Sequence, residues 1–89
     1  MLIKLVEIHK PEGERVYLDE IHVSPDAVTM IRKESNAQII NEAHSLGINH
    51  DVQFSQLTLV EGMGSRTITV VGSPEELKRK LGKRQVLRG

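Results

Sequence analysis

The sequence predicts an α+β domain: a small antiparallel sheet or open barrel of about five strands, with one helix inserted at about 36–47 and a C-terminal helix at about 74–81. Three observations carry this prediction. Aliphatic and β-branched residues cluster in short runs separated by Pro, Gly, Asn and Asp, the punctuation of turns between strands. Two segments break that rhythm, each opening with a capping pattern and continuing with apolar residues three or four apart. The third is the stretch Arg66 to Leu81, where Thr67-Ile68-Thr69-Val70-Val71 is an unbroken β-branched run ended by Gly72. Ser73 and Glu76 then stand at capping-box spacing, Pro74 takes the first helical position, and Leu77 and Leu81 give the helix one apolar edge. A strand is followed at once by a helix that must fold back onto it.

Leu2 to Ile8 reads as the first strand, with Leu2, Val6 and Ile8 on one face and Ile3 and Leu5 on the other, as in a strand covered on both sides. Lys10-Pro11-Glu12-Gly13-Glu14 is a polar turn into a returning strand. There Val16 and Leu18 share one phase and Ile21 and Val23 the other, so the pattern slips at Asp19-Glu20 and predicts a bulge or bend. Ser24-Pro25-Asp26 is a turn, with a short helical turn at Pro25–Val28 also compatible, and Ala27 to Lys33 is the third strand. Ser35 with Gln38 forms a second capping box, Ile39, Ile40, Ala43 and Leu46 fall near one face, and Gly47 supplies the stop, which predicts a helix of about three turns. Val52 to Val60 returns to strand, and Glu61-Gly62-Met63-Gly64-Ser65 turns into the last one. The strands are expected mostly in meander order. Residues 1–82 make the single α+β domain and residues 83–89 a basic C-terminal tail.

Eighty-nine residues make one domain, and a chain of this size buries roughly 60–65% of the surface it exposes when unfolded. Only Tyr17 and Phe54 are aromatic, so a deep aromatic pocket requires more than one chain. The chain has no cysteine, which removes disulfide and thiolate chemistry and points to a cytoplasmic location. The apolar N-terminus is too short and too charged (Lys4, Glu7) for a signal peptide, and no run approaches the length that spans a bilayer. The zero net charge conceals a division: all twelve acidic residues lie in 1–77, whereas Lys78, Arg79, Lys80, Lys83, Arg84 and Arg88 crowd into the last twelve positions. Such asymmetry points to a charged partner or to self-docking.

Two stretches carry a resemblance. Met1-Leu2-Ile3-Lys4-Leu5, Tyr17-Leu18 and Val23-Ser24-Pro25-Asp26-Ala27-Val28 match in order the opening of a family of very short bacterial flagellar and swarming-motility proteins. Thr67-Ile68-Thr69-Val70 with Ser73-Pro74-Glu75-Glu76 matches that family's close. The likeness covers about half the chain; residues 35–51 look like an insertion relative to it. The turn around His22-Val23-Ser24-Pro25-Asp26 and the Val70-Val71-Gly72-Ser73-Pro74-Glu75 ending more closely resemble small proteins of tailed phages. That resemblance implies a phage or prophage accessory protein, in the host cytoplasm, and brings no catalytic residues with it.

Candidate chemistry is sparse. Gly62-Met63-Gly64-Ser65 lies between strands, whereas a phosphate-cradling loop needs a helix N-terminus after it, so a hairpin turn is the better reading. Glu75 and Glu76 already occupy the positive end of the last helix. His9, His22, His44 and His50 include no pair at helical ligand spacing, so no metal and no cofactor is expected. Ser24, Ser65 and Ser73 are explained as turn and cap residues, and the pairs Asp19-Glu20 and Glu75-Glu76 as exposed. An enzyme is therefore not expected.

The basic stretch Lys78, Arg79, Lys80, Lys83, Arg84 and Arg88, with Val86 and Leu87 inside it, is the candidate partner-binding segment. Its charges suit phosphate contact, yet it lacks stacking aromatics and belongs to an acidic body, while Val86 and Leu87 suit a protein groove or a neighbouring subunit. The expectation is a non-enzymatic interaction protein that binds a host or phage protein, with a homo-oligomer left open. One alternative is a nucleic-acid-binding accessory protein; another sequesters nucleotides in a pocket between subunits, with Arg32, Lys33 and Arg66 converging on phosphate.

Overall fold

The computed structural model describes residues 1–82. Five strands, β1 (Ile3–His9), β2 (Tyr17–Val23), β3 (Val28–Lys33), β4 (Phe54–Glu61) and β5 (Gly64–Val71), form one sheet. Their order is β2-β1-β5-β4-β3, and every neighbouring pair is antiparallel. Helix α1 (Ala37–His44) is inserted between β3 and β4, and α2 (Pro74–Leu81) follows β5. The α+β class is as expected. The order departs from a simple meander, because β1 pairs with β5 and leaves the consecutive strands β2 and β3 at opposite edges.

That placement forces the sheet to curl. Val23 at the end of β2 lies level with Ile3, and Val28 at the start of β3 lies level with Leu59. Followed through the β1–β5 and β5–β4 registers, these two levels are at opposite ends of the sheet. On a flat sheet they would stand roughly 30 Å apart, from strand spacings of about 4.8 Å and rises of about 3.3 Å per residue. The link from Val23 to Val28, a 3-10 turn over Pro25–Ala27, reaches at most about 18 Å. The sheet is therefore coiled into an open barrel, with β2 and β3 as the two lips of its gap.

The two faces bury different cores. Leu5, Val23, Val28, Leu57, Leu59, Ile68 and Val70 pack on the inner face, and Leu77 and Leu81 of α2 join them. Outside, Ile8, Val16, Ala43 and Phe54 form a second cluster beneath α1, flanked by Ile39, Ile40, Val52 and Val71. The two-sided reading of β1 is thus correct: Leu5 faces inward and Ile8 outward. The same division corrects the bulge expected at Asp19-Glu20. β2 pairs with β1 without interruption from Tyr17 to Val23. Its apolar residues change phase because Val16 serves the outer cluster and Val23 the inner one. The irregularity in the sheet lies instead in β3, between Val28 and Met30.

The helices form where the capping chemistry places them. Ser73 accepts from the Glu76 N–H at 3.1 Å, the Glu76 carboxylate accepts from the Ser73 N–H at 3.1 Å, and Gly82 closes α2 at φ 72°. The Ser73 backbone N–H above all, with the Ser73 side chain second, holds the Glu76 carboxyl below its ordinary value. Helix α1 departs from expectation at both ends. Its cap is Asn36, whose Oδ1 accepts from the Gln38 and Ile39 N–H groups, in place of Ser35. It stops at His44, short of the expected residue 47, so Leu46 falls in the following turn and is exposed.

Candidate interaction surface

Of the residues singled out for partner binding, Lys78, Arg79 and Lys80 lie on α2 and are exposed. Leu77 and Leu81 bury the opposite side of that helix, so burying one apolar edge necessarily presents the three bases outward. Arg79 and Lys80, with Glu76, line a groove of about 290 Å³ beside Gly72. Lys83, Arg84, Val86, Leu87 and Arg88 lie outside the described residues. The phosphate-site residues of the nucleotide reading do not converge within the chain. Arg66 pairs with Glu61 at 3.1 Å and stands level with Leu59, whereas Arg32 and Lys33 sit on opposite faces of β3, level with Gln56 and Ser55.

Two lips of the open barrel supply surface that sequence reasoning did not single out. Among the described residues, β2 and β3 each pair with a strand on one side only, so each presents an edge of backbone N–H and C=O groups along the other. Tyr17 and Leu18 on β2 and Met30 on β3 are large apolar side chains 40–47% exposed. The lips differ in charge. β2 carries exposed Asp19 and Glu20, and β3 carries exposed Arg32 and Lys33. Glu20 has Lys4 as a neighbour at 3.6 Å; among the described residues Asp19, Arg32 and Lys33 form no ion pair. Each pair of like charges is adjacent in the sequence and was visible there; what hid the arrangement was the strand order.

The best-satisfied buried polar group is Glu34, directly after β3 and only 3% exposed. Its carboxylate accepts from Thr69 Oγ1 at 2.6 Å, from the Asn36 N–H at 3.1 Å and from Gln56 Nε2 at 3.2 Å. Burial pushes this carboxyl up, but the hydrogen bonds from Thr69, Asn36, Gln56 and the Ser35 N–H together outweigh it and hold it below its ordinary value. Glu34 thereby ties β3, β4, β5 and the first turn of α1 together on the outer face. It is an anchor: its acceptor positions are filled by the chain itself.

The histidines stand on the surface or half-buried. His44 and His50 stack with ring centroids 4.5 Å apart, and His44 also meets Phe54 at 5.3 Å. His9 packs against Tyr17 at 5.1 Å, and its Nδ1 lies 3.8 Å from Glu7. Among the described residues no three His, Cys, Asp or Glu side chains group as a metal site. Gly62 and Met63 make a tight hairpin turn closed by Glu61 and Gly64, as expected, with Met63 fully exposed at its tip. No helix among the described residues is long and apolar enough to cross a membrane.

Fold and surface together define a small coiled antiparallel-sheet domain, plugged by one helix and buttressed by another, with two oppositely charged edges that are open among the described residues. Comparison with known protein families, with curated proteins and with solved structures finds no match to this chain.

Proposed function

We propose that this chain is a phage-encoded, non-enzymatic accessory protein that binds a host or phage protein in the host cytoplasm. The observation that supports this reading is the pair of open sheet edges bearing Tyr17, Leu18 and Met30. An exposed edge is a template for strand addition, in which backbone hydrogen bonds give affinity and neighbouring side chains give selectivity. The phage setting rests on the resemblance of the Ser24-Pro25-Asp26 turn and the Val71-Gly72-Ser73-Pro74 ending to small tailed-phage proteins. Affinity capture from host and infected-cell lysates tests the reading. A defined partner should be retained by the wild type and lost by the edge variant Arg32→Glu/Lys33→Glu. Capture that is absent, or unchanged in that variant and in a Leu18→Asp variant, refutes it.

A second reading is favoured by one observation, the exposure of Lys78, Arg79 and Lys80 side by side on α2. These bases suit contact with a nucleic-acid backbone, where each neutralised phosphate adds salt-dependent affinity. A gel-shift series at rising salt decides it; no retardation at low salt removes it.

A further inference from the structure

We infer that the partner of one sheet edge is the opposite edge of a second copy of this chain, β3 of one molecule joining β2 of the next. This deepens the edge-recognition reading above and rests on it. The strands alternate in direction across five positions, so β2 and β3, first and last in the order, run the same way. A second copy that continues the sheet with the same face outward therefore lays its β2 parallel to β3. The irregularity between Val28 and Met30 confines the junction to Met30–Lys33.

Side-chain chemistry selects the register. Leu18 and Glu20 lie on the outer face, opposite Ile8 and Val6, and Met30 and Arg32 lie on the same face, opposite Thr58 and Gln56. Each pair is two residues apart, so setting the second copy's Leu18 beside Met30 carries its Glu20 beside Arg32. On the inner face the same offset sets the second copy's Asp19 beside Ile31, with Lys33 on the diagonal. Two half-exposed apolar side chains are covered together, and two acids meet two bases. The Lys4–Glu20 contact at 3.6 Å is solvent-exposed on both sides and weak enough to yield or be shared. The alternatives are disfavoured: β2 against β2 opposes Asp19 and Glu20 with themselves, and β3 against β3 does the same with Arg32 and Lys33. A contact between two different edges repeats head to tail, closing into a ring or extending as a filament.

The absence of cysteine from the chain makes the test clean. Leu18→Cys and Met30→Cys are prepared separately and oxidised alone and as a mixture. The mixture should give a disulfide-linked dimer containing one of each, with little dimer from either alone. Sedimentation of the wild type should show mass above the 10.0 kDa monomer, growing with concentration and falling with salt. Arg32→Glu/Lys33→Glu should lower the association constant about tenfold or more, and mixing it with Asp19→Lys/Glu20→Lys should restore assembly. A wild type that stays monomeric at high concentration and low salt overturns the inference, as does self-linking of either cysteine variant at the rate of the mixture. Failure of this inference is distinct from failure of the proposed function. A monomer that captures another protein through the same edges keeps that reading and loses this one, whereas a self-assembling chain that captures nothing does the reverse.

Discussion

Replacing Glu34 with alanine removes one acceptor that three parts of the fold share. Thr69, Gln56 and the Asn36 N–H all donate to it at 2.6–3.2 Å in a place 3% exposed. Hydrogen bonds to a charged group contribute about 1.5–3 kcal/mol each, but Asn36 is exposed and Gln56 and Thr69 are half-buried, so water replaces part of what the variant loses. The variant also no longer buries a charge, which offsets part of the loss. The net expectation is a destabilisation of about 3 kcal/mol. For a domain of this length that lowers Tm by about 10–25 °C. Far-ultraviolet circular dichroism through urea and thermal unfolding reads it directly, with no Trp signal required. The pH dependence gives a second readout. Because the folded carboxyl lies below its unfolded value, its stabilisation is complete above the unfolded value, about 4.3, and is lost as pH falls through the lower folded value. Glu34→Gln should therefore flatten the stability profile below about pH 5. An alanine variant within about 0.5 kcal/mol of wild type, or a glutamine variant with the wild-type acid slope, would refute the anchoring role.

Further expectations follow from the packing of α2. Leu77→Ala empties the plug of the inner core, where Leu77 is 1% exposed, and should cost about 2–5 kcal/mol in urea unfolding. Ser73→Ala removes the acceptor for the Glu76 N–H and should cost about 1 kcal/mol. Gly72 sits at φ 128°, where a Cβ would also approach Leu77 to 3.4 Å, so Gly72→Ala should destabilise by about 1–3 kcal/mol. Lys78→Gln/Lys80→Gln changes exposed positions in the last turn of α2 and removes two favourable charges there; it should cost no more than about 1 kcal/mol and weaken any gel shift.

Local chemistry was the legible part of this chain. The Ser73–Glu76 box and Pro74 place the start of α2, and the β-branched run Thr67–Val71 reads as a strand. The faces of β1 were equally plain, since Leu5 and Ile8 differ by an odd number of positions and serve different cores. What misled was any inference that required knowing which strands are neighbours. The phase change in β2 looked like a bulge because one strand feeding two cores has the same hydrophobic signature as a strand with an extra residue. The start of α1 reads as Ser35 from sequence because Ser and Asn are nearly equal caps; in the fold Asn36 takes the cap, and its N–H donates to Glu34, whose other oxygen Thr69 of β5 holds. The opposed charge of the two lips was hidden for the same reason: Asp19-Glu20 and Arg32-Lys33 acquire meaning only when β1–β5 pairing sends β2 and β3 to opposite edges.

Amide hydrogen exchange across a concentration series, and with any captured partner added, bears most directly on whether these edges are the recognition surface. The account predicts that amides within 18–21 and 30–33 gain protection on association while β1, β4 and β5 are unchanged. Protection that grows on α1 or α2, with both edges exchanging as in the free chain, would contradict it.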